Sequence, residues 1–192
     1  MKLVYFHGFG SSGASGTVET LRRLLPELEV VAPDIPVDPA DALPYLKQYV
    51  QDEQPDIIVG TSMGAMYAQQ MFGFRKICVN PSFNMSTMSK VMKANKRYPF
   101  QNGRKDGQKD FLITGQIVKN YNAMERQQFK GITDFDRENT WGLFGVHDTT
   151  VNCYDLFKKH YSNALRFDGE HRLNDKSLKG AVVPLIRQIL GI

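Results

Sequence analysis

Cysteine is scarce in this chain. Cys78 and Cys153 are the only two, so no disulfide framework staples the fold. Cys78 lies in an apolar run and reads as a buried free thiol. No Cys/His cluster has the spacing of metal ligands. Long hydrophobic runs are missing too, and none approaches the roughly 18 apolar residues that a membrane helix needs. The N-terminus lacks a basic region followed by an apolar stretch, so no signal peptide is visible. An excess of one charge is also lacking: the formal net charge of +4 does not by itself argue for nucleic acid. No internal repeat or low-complexity tract occurs. The expectation from these absences is a protein of the reducing cytoplasm with no membrane partner and no resident metal.

What is present is ordinary in bulk. The 192 residues, 42% hydrophobic and 23% charged, suffice for one domain with a substantial core and are few for two. The informative part is local. The run Ile57-Ile58-Val59 breaks into Gly60-Thr61-Ser62-Met63-Gly64 and then into residues that suit a helix. Gly-x-Ser-x-Gly between a strand and a helix is a nucleophile elbow, a tight turn that lifts a serine above a sheet edge. The glycines have a mechanical role, because bulky side chains two positions either side of the serine would collide. The following helix aims its free N–H groups at the reaction site.

Apolar runs alternate with helical patterns along most of the chain. Strands are expected at Lys2–Phe6, Glu29–Ala32, Asp56–Val59, Lys76–Val79, Trp141–Val146 and Leu165–Phe167. Helices are expected at Thr17–Leu25, Pro39–Gln51, Met63–Phe72, Val151–Tyr161 and Lys176–Leu190. Short apolar strands alternating with helices predict an α/β fold, a three-layer α/β/α sandwich around a mostly parallel sheet of about six strands. The alternation breaks between Pro81 and Asn139. There the chain turns polar and basic, with seven Lys or Arg against one Asp from Lys90 to Lys109. Helical spacing appears in places over Phe111–Phe129, and no clear strand does. The expected organisation is a single domain, 1–192, with a lid insertion at about 82–139.

A serine nucleophile needs a base, and the base needs an orienting acid. In open α/β sheets these stand beyond the carboxyl ends of strands. Two later strands end suitably, one at Gly145-Val146-His147-Asp148 and the other at Gly169-Glu170-His171. The candidate catalytic set is therefore Ser62, Asp148 and His171, in the chain order found in α/β-hydrolases. Ser62 attacks a carbonyl carbon, His171 takes and returns the proton, and Asp148 orients the imidazole. Asp148 also suits a helix cap before Val151–Tyr161. His147 and Asp168 are the competing base and acid. The oxyanion hole is assigned to the backbone N–H groups of Met63 and of Phe9, in the loop His7-Gly8-Phe9-Gly10. Gly8 and Gly10 are expected against the substrate. Each oxyanion donor is worth about 3–4 kcal/mol in the transition state. A histidine base also predicts a rate that rises with pH through the ordinary imidazole range.

These residues resemble the α/β-hydrolase superfamily, and within it the small YqiA-like bacterial esterases. The resemblance rests on His7-Gly8-Phe9, on the Gly60–Gly64 elbow and on Val79-Asn80-Pro81. It also rests on Gly145-x-x-Asp148 and on Gly169-Glu170-His171, and it leaves the middle segment uncovered. It implies an esterase acting on short acyl esters, a small-molecule substrate and no cofactor. Thioesterase and acyltransferase chemistry share the triad, and a homo-oligomer is left open. Two strands that usually open the superfamily's sheet are absent, and the basic insertion after Pro81 is unusual for it.

Two other readings compete. Gly8-Phe9-Gly10-Ser11-Ser12-Gly13 is a literal Gly-x-Gly-x-x-Gly, and Asp34 stands where a ribose-binding acid would, which is the spacing of a dinucleotide fingerprint. That reading leaves Ser62, Asp148 and His171 unexplained. The stretch Lys90, Lys93, Lys96, Arg97, Arg104, Lys105 and Lys109, with Tyr98 and Phe100, also has the composition of a non-catalytic anion- or nucleic-acid-binding module. A solvated lid accounts for it more simply.

Overall fold

In the computed structural model, which describes residues 1–88 and 92–192, six strands form one sheet. In chain order the elements are β1 (Lys2–Phe6), α1 (Gly16–Leu24), β2 (Glu29–Val31), α2 (Pro39–Glu53), β3 (Ile57–Thr61), α3 (Met63–Ala68) and β4 (Lys76–Val79). A 3-10 turn at Met85–Thr87 precedes β5 (Lys96–Pro99), β6 (Asp110–Ile113), α4 (Gly115–Glu125) and α5 (Asp134–Glu138). Then come β7 (Thr140–Gly145), α6 (Tyr154–Lys158), β8 (Asn163–Phe167), α7 (Asp175–Ser177), a π-turn at Leu178–Val182 and α8 (Val183–Leu190). The large sheet has the order β2-β1-β3-β4-β7-β8, and every pairing in it is parallel.

Parallel strands need crossovers, and the crossover helices cover both faces, which is why these strands are apolar without alternation. Leu3, Tyr5, Ile57, Val59, Ile77 and Val79 face one way and pack with Val18 and Leu21 of α1 and with Val183 and Ile186 of α8. Val4, Phe6, Ile58 and Cys78 face the other way and pack with α2, α3, Tyr121 of α4 and Phe157 of α6. The fold is thus the expected three-layer sandwich. No helix of the described residues is long and apolar enough to cross a membrane.

The strand ends that matter are adjacent. Phe6 pairs with Gly60, which sets the loop after β1 beside the elbow. Gly145 pairs with Phe167, and His147 N donates to Gly169 O at 3.0 Å, which ties the two late loops together.

The insertion departs from expectation. Lys96–Pro99 and Asp110–Ile113 pair antiparallel as a hairpin, where no strand was expected. Its pattern is too short and too interrupted to read in sequence: only Phe111 and Ile113 of β6 are buried, alternating with exposed Asp110 and Leu112. The segment also contributes Tyr121 and Met124 to the core beside the sheet. Three of its basic residues are engaged by protein. Arg97 pairs with Asp110. Arg104 pairs with Asp106, donates to Ile35 O and lies 4.4 Å over the Phe100 ring. Lys96 lies over Tyr98. Lys90 falls outside the described residues. Tyr98 and Phe100 pack on Phe111, and Tyr98 packs on Phe9 as well, so the two proposed stacking residues are occupied by protein.

Candidate active site

The elbow forms as its sequence requires. Ser62 has φ 54° and ψ −118°, a left-handed conformation that a non-glycine residue holds only when its surroundings impose it. A Cβ on Gly60 would stand 2.4 Å from Gly64 O, and one on Gly64 would stand 2.1 Å from Phe6 O. Both distances are impossible, so the two glycines let β3, α3 and β1 close around the turn. Ser62 N donates to Val79 O at 3.0 Å, which pins the turn to β4.

The three separated residues meet above this edge. His171 Nε2 lies 3.0 Å from Ser62 Oγ, and His171 Nδ1 lies 2.7 Å from Asp148 Oδ2. The Asp148 side chain is 5% exposed, which shields the pair from competing water. A carboxylate only accepts, so Nδ1 carries the imidazole proton and Nε2 is left as an acceptor for the Ser62 hydroxyl. The other oxygen, Asp148 Oδ1, accepts from Thr150 N at 2.7 Å and Val151 N at 3.1 Å. Asp148 therefore fixes its own turn and orients the histidine at once. It does not cap a helix from Val151, because α6 starts only at Tyr154 with Cys153 before it.

The runner-up residues take each other. His147 Nε2 is 3.1 Å from Asp168 Oδ1, and both side chains are largely exposed. Asp168 also accepts from Lys176, which holds its carboxyl below the usual range.

Ser62, His171, Gly8 and Phe9 line one groove of about 950 Å³, with Thr61, Met85 and Arg172 among its walls. Met63 is the first residue of α3, so its N–H has no intrahelical partner. The Phe9 N–H likewise has no acceptor among the described residues. Gly8 stands beside Ser62: a Cβ there would sit 3.6 Å from Ser62 Cβ. Gly10, expected against the substrate, is instead buried behind the loop, where its φ of +70° turns the chain and its carbonyl accepts from Gln101 N at 2.7 Å. The hairpin thus buttresses the loop, with Phe111 5.2 Å from the Phe9 ring.

The dinucleotide reading fails at Asp34. Its Oδ1 accepts from Gly13 N at 2.8 Å and its Oδ2 from Lys105 N at 2.7 Å. Both oxygens of the carboxylate are thus engaged in closing their own loop. Among the described residues no group of His, Cys, Asp or Glu has the arrangement of a metal site.

Two residues at the site were not assigned roles from sequence. Asn80 has φ 44°. It donates to Glu170 O at 2.8 Å and His171 O at 3.1 Å, and accepts from Gly145 N at 2.7 Å. One buried amide therefore ties the ends of β4 and β7 to the histidine loop. The signal was its place: Asn tolerates the left-handed region, and Asn-Pro directly follows a strand. Ser82 Oγ lies 3.0 Å from Ser62 Oγ. A serine one residue past a proline carries no such signal.

His7 is 2% exposed. Its Nε2 accepts from Ile35 N at 3.1 Å, so Nδ1 bears the proton and donates to Gly8 O at 2.9 Å. Burial pushes its pKa from the ordinary 6.5 to about 4. The unfolded chain therefore binds a proton here that the native state refuses, and native stability is lost as pH falls from about 6.5 to about 4. The contribution is about 3 kcal/mol. Urea midpoints at pH 7.0 and 4.5 are expected to show this loss in the natural chain and a correspondingly smaller one in His7→Gln. Equal losses would assign the acid sensitivity to other groups.

A family model described as "Uncharacterised protein family (UPF0227)" matches residues 2–175. Among solved structures, the chain superposes on Est1E from Butyrivibrio proteoclasticus with a TM-score of 0.69 at 13% identity, covering 100% of this chain and 88% of that one. It superposes on alpha/beta hydrolase domain-containing protein 10 from mouse with a TM-score of 0.63 at 12% identity, covering 99% and 89%. The esterase domain of a Rhodothermus marinus protein gives 0.61 at 16% identity, covering 97% and 86%. At these identities the likeness is one of fold, and the fold is that of the α/β-hydrolases.

Proposed function

From the premise that the chain belongs to the uncharacterised protein family UPF0227, we propose that it is a serine hydrolase that cleaves small carboxylic esters through an acyl-enzyme. One observation carries the reading: the unbroken chain of contacts from Asp148 through His171 to Ser62, at 2.7 and 3.0 Å. Neighbours of the same fold that bear esterase names support it.

In the proposed reaction Ser62 Oγ attacks the ester carbonyl as its proton passes to His171 Nε2. The carbonyl oxygen becomes an oxyanion between the N–H groups of Phe9 and Met63, neither of which has another acceptor among the described residues. The C–O bond to the alcohol breaks, and His171 returns the proton to the departing oxygen. Water then repeats the sequence on the acyl-serine. Asp148 keeps the imidazole in the tautomer that accepts at Nε2 and stabilises the imidazolium.

The test is a panel of p-nitrophenyl esters of graded acyl length, joined to fluorophosphonate labelling. Turnover of the short members is expected, with the label on Ser62 by peptide mass spectrometry. A protein that is folded, unlabelled and inert toward every ester would refute the proposal.

A further inference from the structure

Ser82 is the residue at this site that the triad does not use. It is 1% exposed, and its amide donates to Ser62 O at 3.1 Å. Its hydroxyl reaches the nucleophile oxygen itself, Oγ to Oγ at 3.0 Å. The direction of this bond follows from counting protons. Asp148 accepts a hydrogen bond from the Nδ1–H of His171, so Nε2 is an acceptor, and the only proton on Ser62 Oγ points there. The remaining contact needs a donor, and Ser82 alone supplies it.

We propose that Ser82 is a further catalytic residue, a fixed hydrogen-bond donor to the oxygen of Ser62 that acts chiefly in deacylation. The inference rests on the serine-hydrolase reading. It differs from that reading in assigning the second half-reaction its own donor.

The asymmetry comes from the changing charge on one oxygen. In the free enzyme Ser62 Oγ is a hydroxyl oxygen, a good acceptor. In the acyl-enzyme it is an ester oxygen, whose lone pair is drawn toward the carbonyl, and it accepts poorly. When water has added to the acyl carbon, the C–Oγ bond breaks, its electron pair moves onto Oγ, and His171 delivers the proton. Negative charge builds on Oγ at that moment, and a hydrogen bond to it strengthens. The gain from acyl-enzyme to transition state therefore exceeds the gain from free enzyme to the transition state of attack. Only interactions that strengthen on the way to the transition state raise a rate. Removing the donor slows the breakdown of the acyl-enzyme more than its formation.

Stopped-flow hydrolysis of p-nitrophenyl acetate by the natural chain and by Ser82→Ala separates the steps. In Ser82→Ala, deacylation is expected to slow about tenfold, KM to fall nearly in parallel, and kcat/KM to change by about twofold at most. A p-nitrophenolate burst approaching one equivalent accompanies the change. Fluorophosphonate labelling of Ser62, which tests the nucleophile without deacylation, is expected to proceed in both proteins. A role confined to placing Ser62 would lower kcat and kcat/KM by one common factor, and that result overturns the proposal, as does an unchanged deacylation rate. Absence of labelling and turnover in the natural chain would instead refute the underlying hydrolase reading, and this proposal with it.

Discussion

Ser62→Ala is expected to lower kcat for a short p-nitrophenyl ester by about 10⁴–10⁶-fold. The substitution removes the attacking atom and leaves the surroundings in place. Alanine tolerates φ 54° no worse than serine does, and the turn itself is held by Ser62 N to Val79 O and by Ala65 N to Ser62 O. Thermal unfolding should therefore shift little. The amides of Phe9 and Met63 survive, so a residual rate above that of water is expected. His171→Ala should cost nearly as much, because Ser62 then has no acceptor for its proton. The double variant should cost no more than the worse single one, since the residues act as a unit. Asp148→Asn is the more selective member. Its amide can turn a donor toward Nδ1 and favour the tautomer that protonates Nε2, the wrong one for accepting from Ser62, at a cost of about 10⁴-fold. Losses that add across the double variant, or more than a few per cent activity in any single one, would dissolve the relay. Steady-state kinetics on purified variants with matched circular dichroism decides it.

The candidate site was legible where local sequence bears a mechanical constraint. Gly60 and Gly64 are readable because no side chain fits against Gly64 O and Phe6 O. Asp148 and His171 are readable because the sheet is parallel and its strand ends share one rim, where register alone brings the two loops together. The strands themselves show as unbroken apolar runs because both faces are covered. What escaped has no local signature. The hairpin at 96–113 derives its stability from Phe9, Tyr98, Phe100 and Phe111 meeting across the chain, an aromatic contact set that spacing does not reveal. The setting of Gly10 escaped for the same reason: its partner, Gln101, lies in that hairpin. The helix expected over Met63–Phe72 ends at Ala68, and the chain leaves it through Gly73 at φ +84°. There Gly73 N donates to Asp136 Oδ1 at 3.0 Å, a capping contact supplied from 63 residues away. Lys76 carries no signal beyond its place at the start of an expected strand, because a partner 60 residues on cannot be seen along the chain.

That lysine carries the second large effect, this one on stability. Lys76 and Asp136 are an ion pair with both side chains at 0% exposure, Nζ to Oδ1 at 2.5 Å. Nζ donates also to Met71 O at 3.0 Å, and the carboxylate accepts from Gly73 N and from the amide and hydroxyl of Thr133. Removing one partner of such a pair is expensive because the other charge stays buried, and Asp136→Ala should destabilise the fold by about 3–5 kcal/mol. Against a total of about 5–15 kcal/mol that is enough to unfold a large fraction of the protein at 37 °C. Lys76→Met should cost less, since Asp136 keeps its three other donors while Lys76 without Asp136 keeps one acceptor. Lys76→Met/Asp136→Leu is expected to recover most of the loss, as replacing a buried pair by apolar side chains often does. pH separates charge from packing. Burial already lowers the pKa of Lys76 against the pull of Asp136. In Asp136→Ala that pull is gone, so the native state binds this proton still more weakly than the unfolded chain does. Stability of the variant must then rise with pH toward the ordinary lysine value of 10.5. Its deficit in urea should be smaller at pH 9.5 than at pH 7, and a deficit independent of pH would assign the loss to packing and hydrogen bonds rather than to a stranded ammonium.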